Sequence, residues 1–234
     1  LTLRHTTIGK KAVAAVTGAI LFGFLIVHLL GNLQLYMGPV DGAVAMHEYA
    51  AALRRTGPLL WVARIVLLVS VGAHIWATVS LMSRNSDARR TPYQHGRKDL
   101  ITDYAARTMH WSGPIIGLFI LYHLLHLTFG YGSFHDPQNV YDNVVFGFRN
   151  WMISTAYIVA NLLLGMHLYH GGWSWLQTLG ASHRRYDRYR KAFAIGLAAF
   201  ITIGNVSIPI AVMTGVITPS EGFDECSELL GPCD

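Results

Sequence analysis

Residues 16–30 read VTGAILFGFLIVHLL and residues 111–125 read WSGPIIGLFILYHLL. The two stretches repeat one plan. A hydroxyl residue, Thr17 or Ser112, precedes a glycine, Gly18 or Gly113; a histidine, His28 or His123, follows ten residues later; Leu-Leu follows the histidine. A second pair of stretches carries a shorter motif, GAHIW at 72–76 around His74 and GMHLY at 165–169 around His167. All four histidines stand inside long apolar runs. A spanning helix needs about 20 mostly apolar residues, and an ionisable residue inside one is costly and a functional candidate by default.

Working outward, five runs are long enough to span: Val13–Leu35, Leu59–Met82, Met109–Tyr131, Trp151–Leu176 and Ala192–Ile217. Gly38-Pro39, Gly57-Pro58, Thr91-Pro92 and Asp136-Pro137 punctuate the connectors. The composition agrees: of 234 residues, 52% are hydrophobic and 13% charged, where a soluble domain carries about a quarter charged. Mean hydropathy is +0.35. The first run is long and more like it follow, so it reads as a true span rather than a removable leader. The expected fold is all-α, an integral membrane bundle of five transmembrane helices over residues 1–217, with an acidic tail at 218–234.

Charge sets the expected direction. The N-terminus and the second and fourth connectors hold 14 of the 18 basic residues, while 9 of the 13 acidic residues fall on the other side. The basic side is cytoplasmic by the positive-inside rule, which places the N-terminus inside and the C-terminus outside. The first and third spans then run outward and the second and fourth inward. At ~1.5 Å per residue His28 lies ~22 Å beyond Val13 and His123 ~21 Å beyond Met109; His74 lies ~22 Å past Leu59 and His167 ~24 Å past Trp151. Two facing couples are expected, His28 with His123 in the outer half and His74 with His167 in the inner half, about 10–15 Å apart on that rise.

Two imidazoles facing each other suit the axial positions of a haem iron. With both positions filled, such a centre has no site for dioxygen or substrate and carries electrons. The macrocycle needs small residues beside it, and Gly18, Gly23, Gly31, Gly72, Gly113, Gly117, Gly165, Gly171 and Gly172 give room for it or for helix packing. His126 and His170 each follow a candidate ligand by three residues, nearly on the same face. Gly31 and Ala77 occupy the corresponding places in the paired spans, so the repeat favours His123 and His167 as ligands. His126 and His170 are expected to support propionates or bond a neighbour. Arg64 faces an outer propionate or snorkels to the surface. Both outer connectors are expected to carry short helices on the membrane surface; in the first, Met46, Tyr49, Ala50 and Leu53 share one helical face. Cys226 and Cys233, the only cysteines, are too few for a cysteine-held cluster and form a disulfide or two free thiols.

HLLGN (28–32), GPLLWVARI (57–65), RTMHWSG (107–113) and HLYHGGWSWLQTLG (167–180) together resemble the five-span di-haem cytochrome b anchor of succinate dehydrogenases and fumarate reductases. The likeness covers residues 4–217. It implies two haems b, His28 with His123 holding the distal iron and His74 with His167 the proximal. It also implies a flavoprotein with FAD and an iron–sulfur protein docked on the cytoplasmic side, and a membrane quinone, menaquinone in this branch. Dicarboxylate chemistry would then lie on the partners, nucleic acid has no place, and the setting is the bacterial cytoplasmic membrane among its lipids, with a higher oligomer of the whole complex left open. For quinone and proton exchange the candidates are Glu48 with His47, or an opposite site near Thr17, Arg107 and Ser112. Three other readings stand beside this one: the anchor of another quinone-linked dehydrogenase; a membrane di-iron oxygenase, suggested by HLLH and HLYH; and a proton-coupled transporter.

Overall fold

The apolar runs fold as helices. The computed structural model describes residues 6–87, 104–178, 180 and 183–220, without the side chains of 85–87, 104–107 and 184. Among the described residues there are seven α-helices and no strand: α1 Thr7–Asn32, α2 Asp41–Arg55, α3 Pro58–Asp87, α4 Tyr104–His123, α5 Val140–Arg149, α6 Trp151–Thr178 and α7 Asp187–Met213. Five stretches are long and apolar enough to cross a membrane: Thr7–Met37, Pro58–Arg84, Thr108–Thr128, Trp151–Thr178 and Asp187–Met213. Their outward faces are apolar. Leu68 is 73% exposed, Leu118 69% and Ile203 68%. A water-soluble monomer rarely presents such patches, whereas a bilayer suits them. Cys226, Cys233 and the acidic tail beyond Ser220 lie outside the described residues, as do Arg89, Arg90, Arg97 and Lys98 of the second connector.

The span ends differ from the expected ones for identifiable reasons. Helix α1 starts six residues before Val13, because Lys10 finds a partner inside the protein, the Ser80 hydroxyl. The fifth span stops at Met213, not Ile217. Gly215 has φ +74°, its N–H bonds the Val212 carbonyl at 3.1 Å, and the Val216 N–H bonds the Ala211 carbonyl at 2.8 Å. That is a Schellman stop, which a glycine in the left-handed region allows.

The chain divides into two compact units. The first takes the described residues of 1–25, 58–110 and 166–198; the second those of 26–57, 111–165 and 199–234. In the first unit α1 meets α3 through Lys10, Ala14, Thr17 and Gly18. Helices α6 and α7 meet where Trp173 Nε1 donates to Asp187 and the Lys191 ammonium lies 5.0 Å from the Trp173 ring centre.

The second unit holds the larger core. It is built on α5, where Tyr141, Val144, Val145 and Phe148 are buried against Leu35, Met46 and Ile208. Asn139 caps α5, its side chain accepting from the Asp142 N–H at 3.0 Å. The Asn150 side chain accepts from the Met152 N–H at 3.0 Å and so starts α6. On the α2 face expected to be apolar, Met46 is buried and Tyr49 covers Gly31, while Leu53 is exposed. Gly42 fixes how α2 sits. A Cβ there would lie 2.8 Å from the Gln34 carbonyl oxygen and 3.1 Å from the Tyr141 ring. A backbone oxygen cannot swing aside, so Gly42→Ala should cost about 1–3 kcal/mol, read as a lower melting temperature of the purified protein.

Candidate functional site

In the first unit the His74 and His167 rings adjoin in an edge arrangement, with centroids 6.3 Å apart and planes at 61°. In the second unit the His28 and His123 rings stand 5.8 Å apart at 89°. Two imidazole nitrogens held ~2.0–2.1 Å from a shared metal, on opposite sides, put the ring centres roughly 6 Å apart. Both observed centroid spacings are near that value, and each pair of rings falls within a single unit.

The surroundings of His74 decide which nitrogen is free. Its Nδ1 lies 3.1 Å from the Ala14 carbonyl oxygen and 3.2 Å from the Thr17 hydroxyl. A carbonyl can only accept, so Nδ1 carries the proton and Nε2 keeps its lone pair. The Thr17 hydroxyl donates to the Val13 carbonyl at 2.7 Å, which turns a lone pair toward the ring. Gly18 supplies the room, since a Cβ there would lie 3.3 Å from His74 Cε1. An imidazole oriented through its second nitrogen is the usual preparation of a metal ligand. His167 has a buried Nδ1 with no hydrogen-bond partner among the described residues. A buried polar atom left unmet costs about 1–3 kcal/mol, so this ring calls for a group those residues do not supply. The donor set, neutral imidazoles in apolar surroundings, suits haem iron.

His126 does something else. The helix leaves α-geometry after His123 and makes a π turn over Leu124–Thr128, in which the Phe129 N–H bonds the Leu124 carbonyl at 3.1 Å. That turn takes His126 off the face it would share with His123 in an unbroken α-helix. Its ring is 1% exposed, stacks on Tyr122 with centroids 5.7 Å apart, and has Nδ1 2.9 Å from the Tyr157 hydroxyl. Gly147 makes space for it: a Cβ there would lie 2.9 Å from His126 Cε1. His126 is thus a neighbour-bonded residue. His170 lies in the first unit with the His74 couple.

The remaining candidates separate. No Cβ contact would arise at Gly23, Gly72, Gly113, Gly117 or Gly171, whereas Gly31 meets Tyr49, Gly165 meets Thr202 and Gly172 meets Ala194. The latter three are packing glycines. Arg64 is exposed with its guanidinium 5.0 Å from the Trp61 ring centre, the posture of a snorkelling side chain. Glu48 and His47 are exposed on α2, and His47 Nδ1 lies 3.2 Å from the Gln138 carbonyl oxygen. Thr17 belongs to the first unit and Ser112, whose buried hydroxyl has no partner among the described residues, to the second. The Arg107 side chain lies outside the described residues.

Sequence reasoning missed the Ala14 carbonyl, Tyr157 and Lys10. The signal for Ala14 and Lys10 was present, because Lys10, Ala14, Thr17 and Gly18 form one stripe along α1. Tyr157 had no such signal, as its role depends on the π turn. No family model matches the chain, and neither a curated protein nor a solved structure matches it.

Proposed function

We propose that this chain is the membrane-anchor cytochrome b of a succinate:quinone oxidoreductase, passing electrons between an iron–sulfur partner and a membrane quinone with two b haems bound. The observation that carries it is the pairing of the four span histidines, His28 with His123 and His74 with His167, at the spacing two axial imidazoles require. Menaquinone, the flavoprotein and iron–sulfur partners, the cytoplasmic N-terminus and the bacterial cytoplasmic membrane come with that reading through the motif resemblance.

A bis-imidazole haem supplies reversible one-electron transfer without an open coordination position. The chain's own residues prepare for it. His74 is held by Ala14 and Thr17 with Nε2 presented, and Gly18 leaves its ring unobstructed. The π turn takes His126 off the face of His123, and its Nδ1 bonds Tyr157 there. All four rings stand on helices long and apolar enough to cross a membrane.

The test is a reduced-minus-oxidised spectrum with a pyridine haemochrome count on the purified complex. The expected result is two haems b per chain, both reducible by succinate when the partner subunits are bound. A colourless complex removes the proposal. Haems reduced by formate or hydrogen but not by succinate would move the chain to the sibling class of quinone-linked anchors.

A further inference from the structure

Lys10 is 6% exposed, a buried ammonium on the first complete turn of α1. Its Nζ donates to the Ser80 hydroxyl and lies 5.7 Å from the Trp76 ring centre, both on α3. Among the described residues no carboxylate pairs with it. The contrast lies in the same unit: Arg190 and Lys191 both reach Asp187, at 2.5 and 3.9 Å. A buried charge is tolerated when it is paired. A hydroxyl and an aromatic face solvate an ammonium but leave its charge uncancelled. The Lys10 ammonium therefore has a hydroxyl and an aromatic face about it and no counter-anion among the described residues.

The place of Lys10 says which anion. It stands one helical turn, about 5.4 Å, before Ala14 on the stripe of α1 that holds His74. Trp76 and Ser80 extend the same α3 that carries His74. A carboxylate arm on a macrocycle held by His74 would meet Lys10 by extending about one helical turn along α1 from Ala14. We propose that Lys10 is the counter-cation of a haem propionate on the group held by His74 and His167. The inference rests on the proposed function and adds a residue to it.

A fixed positive charge beside the macrocycle favours the reduced iron, which carries one positive charge fewer. Lys10→Met should therefore shift the reduction equilibrium of the His74/His167 haem toward the oxidised form by about tenfold, ~59 mV for one electron. The other haem should keep its midpoint, and Lys10→Arg should restore the first. The measurement is a redox titration of the whole complex, with resonance Raman spectra of the propionate bending region. Two haems with unmoved midpoints in Lys10→Met would overturn the assignment and leave the di-haem reading intact; parent complex without haem would remove both. If Lys10→Met does not assemble, Lys10→Arg carries the test alone: a guanidinium donor in place of the ammonium should shift the propionate band, and an unchanged band overturns the proposal.

Discussion

Alanine at His28 or at His123 should cut the haem content from two per chain to one and leave the His74/His167 haem in place, with its midpoint near the parent value. Alanine at His74 or His167 should remove the other haem. The expectation follows from how the rings are grouped. His28 and His123 adjoin at 5.8 Å within the second unit, and His74 and His167 at 6.3 Å within the first. On the proposed reading, removing one imidazole would leave a single ring to hold that haem, while the partner couple keeps both rings and, at His74, the orienting bonds to Ala14 and Thr17. Pyridine haemochrome assay gives the count, and a redox titration gives one n = 1 step where the parent gives two. His126→Ala serves as the control and should retain two haems, because the π turn takes that ring off the face of His123. Loss of both haems from every single substitution would break the layered assignment. Loss of the same haem from His28→Ala and His74→Ala would show the couples to be joined along the other diagonals.

Why the couples were legible from the sequence is a matter of period and solvent. In a bilayer the helix is the cheapest single-span structure, so a run such as Val13–Leu35 implies a helix there, which the structure extends to Thr7–Asn32. The Gly–His spacing of ten residues then places His28 and His123 at matching points on two helices that run the same way. The argument needs only rise per residue, and rise is uniform in a regular helix.

Where the helix is not regular the sequence was silent. The π turn after His123 inserts an extra residue into one turn, and nothing in LLHLT announces it; the hydrogen bond that defines it depends on packing against α5. A short surface helix was expected in this outer connector, but the burial of α5 was hidden for a related reason. The polar segment YDN at 141–143 looks like a surface connector, yet all three residues are buried in the second unit. Their polar groups are met locally: the Asn143 side chain bonds both the N–H and the carbonyl of Asp136 at 2.7 Å. Such satisfaction is decided by chain geometry and cannot be counted from composition. The end of α7 was legible in principle, since Gly215 is the expected glycine of a Schellman stop.

The largest stability effect should come from Asp142→Ala. The Asp142 side chain is 0% exposed and gathers the second unit's last described strand of chain onto α5. Its Oδ1 accepts from the Ser220 N–H at 2.9 Å, and its Oδ2 accepts from the Ser220 hydroxyl and the Asn139 amide. One residue earlier, the Tyr141 hydroxyl donates to the Thr218 carbonyl at 2.9 Å. Hydrogen bonds to a charged acceptor are worth about 1.5–3 kcal/mol each in place, and their loss here leaves three part-buried donors, the Ser220 N–H, the Ser220 hydroxyl and the Asn139 amide, without that acceptor. A net cost of about 3 kcal/mol is expected, which for a chain of this size is a fall of roughly 6–12 °C in melting temperature. Asp142→Asn should cost less, because its carbonyl oxygen still accepts from Ser220 while its amide meets the Asn139 amide donor to donor. Tyr141→Phe should cost least, removing one neutral bond. Burial first, and then the Asp142 carboxylate, hold the Tyr141 phenol above its ordinary value near 10. An acid whose folded value is raised contributes stability below its unfolded value and loses it as pH rises through the folded one. The Tyr141–Thr218 bond should therefore be indifferent to pH from 6 to 9, on the scale set by a phenol near 10, and fail only in stronger alkali. Limited proteolysis supplies the local readout: cleavage at Thr218–Ser220 should quicken in Asp142→Ala before the haem spectrum changes. An Asp142→Ala protein that melts with the parent and resists cleavage equally would mean that the apolar contacts of Ile217 alone hold this segment.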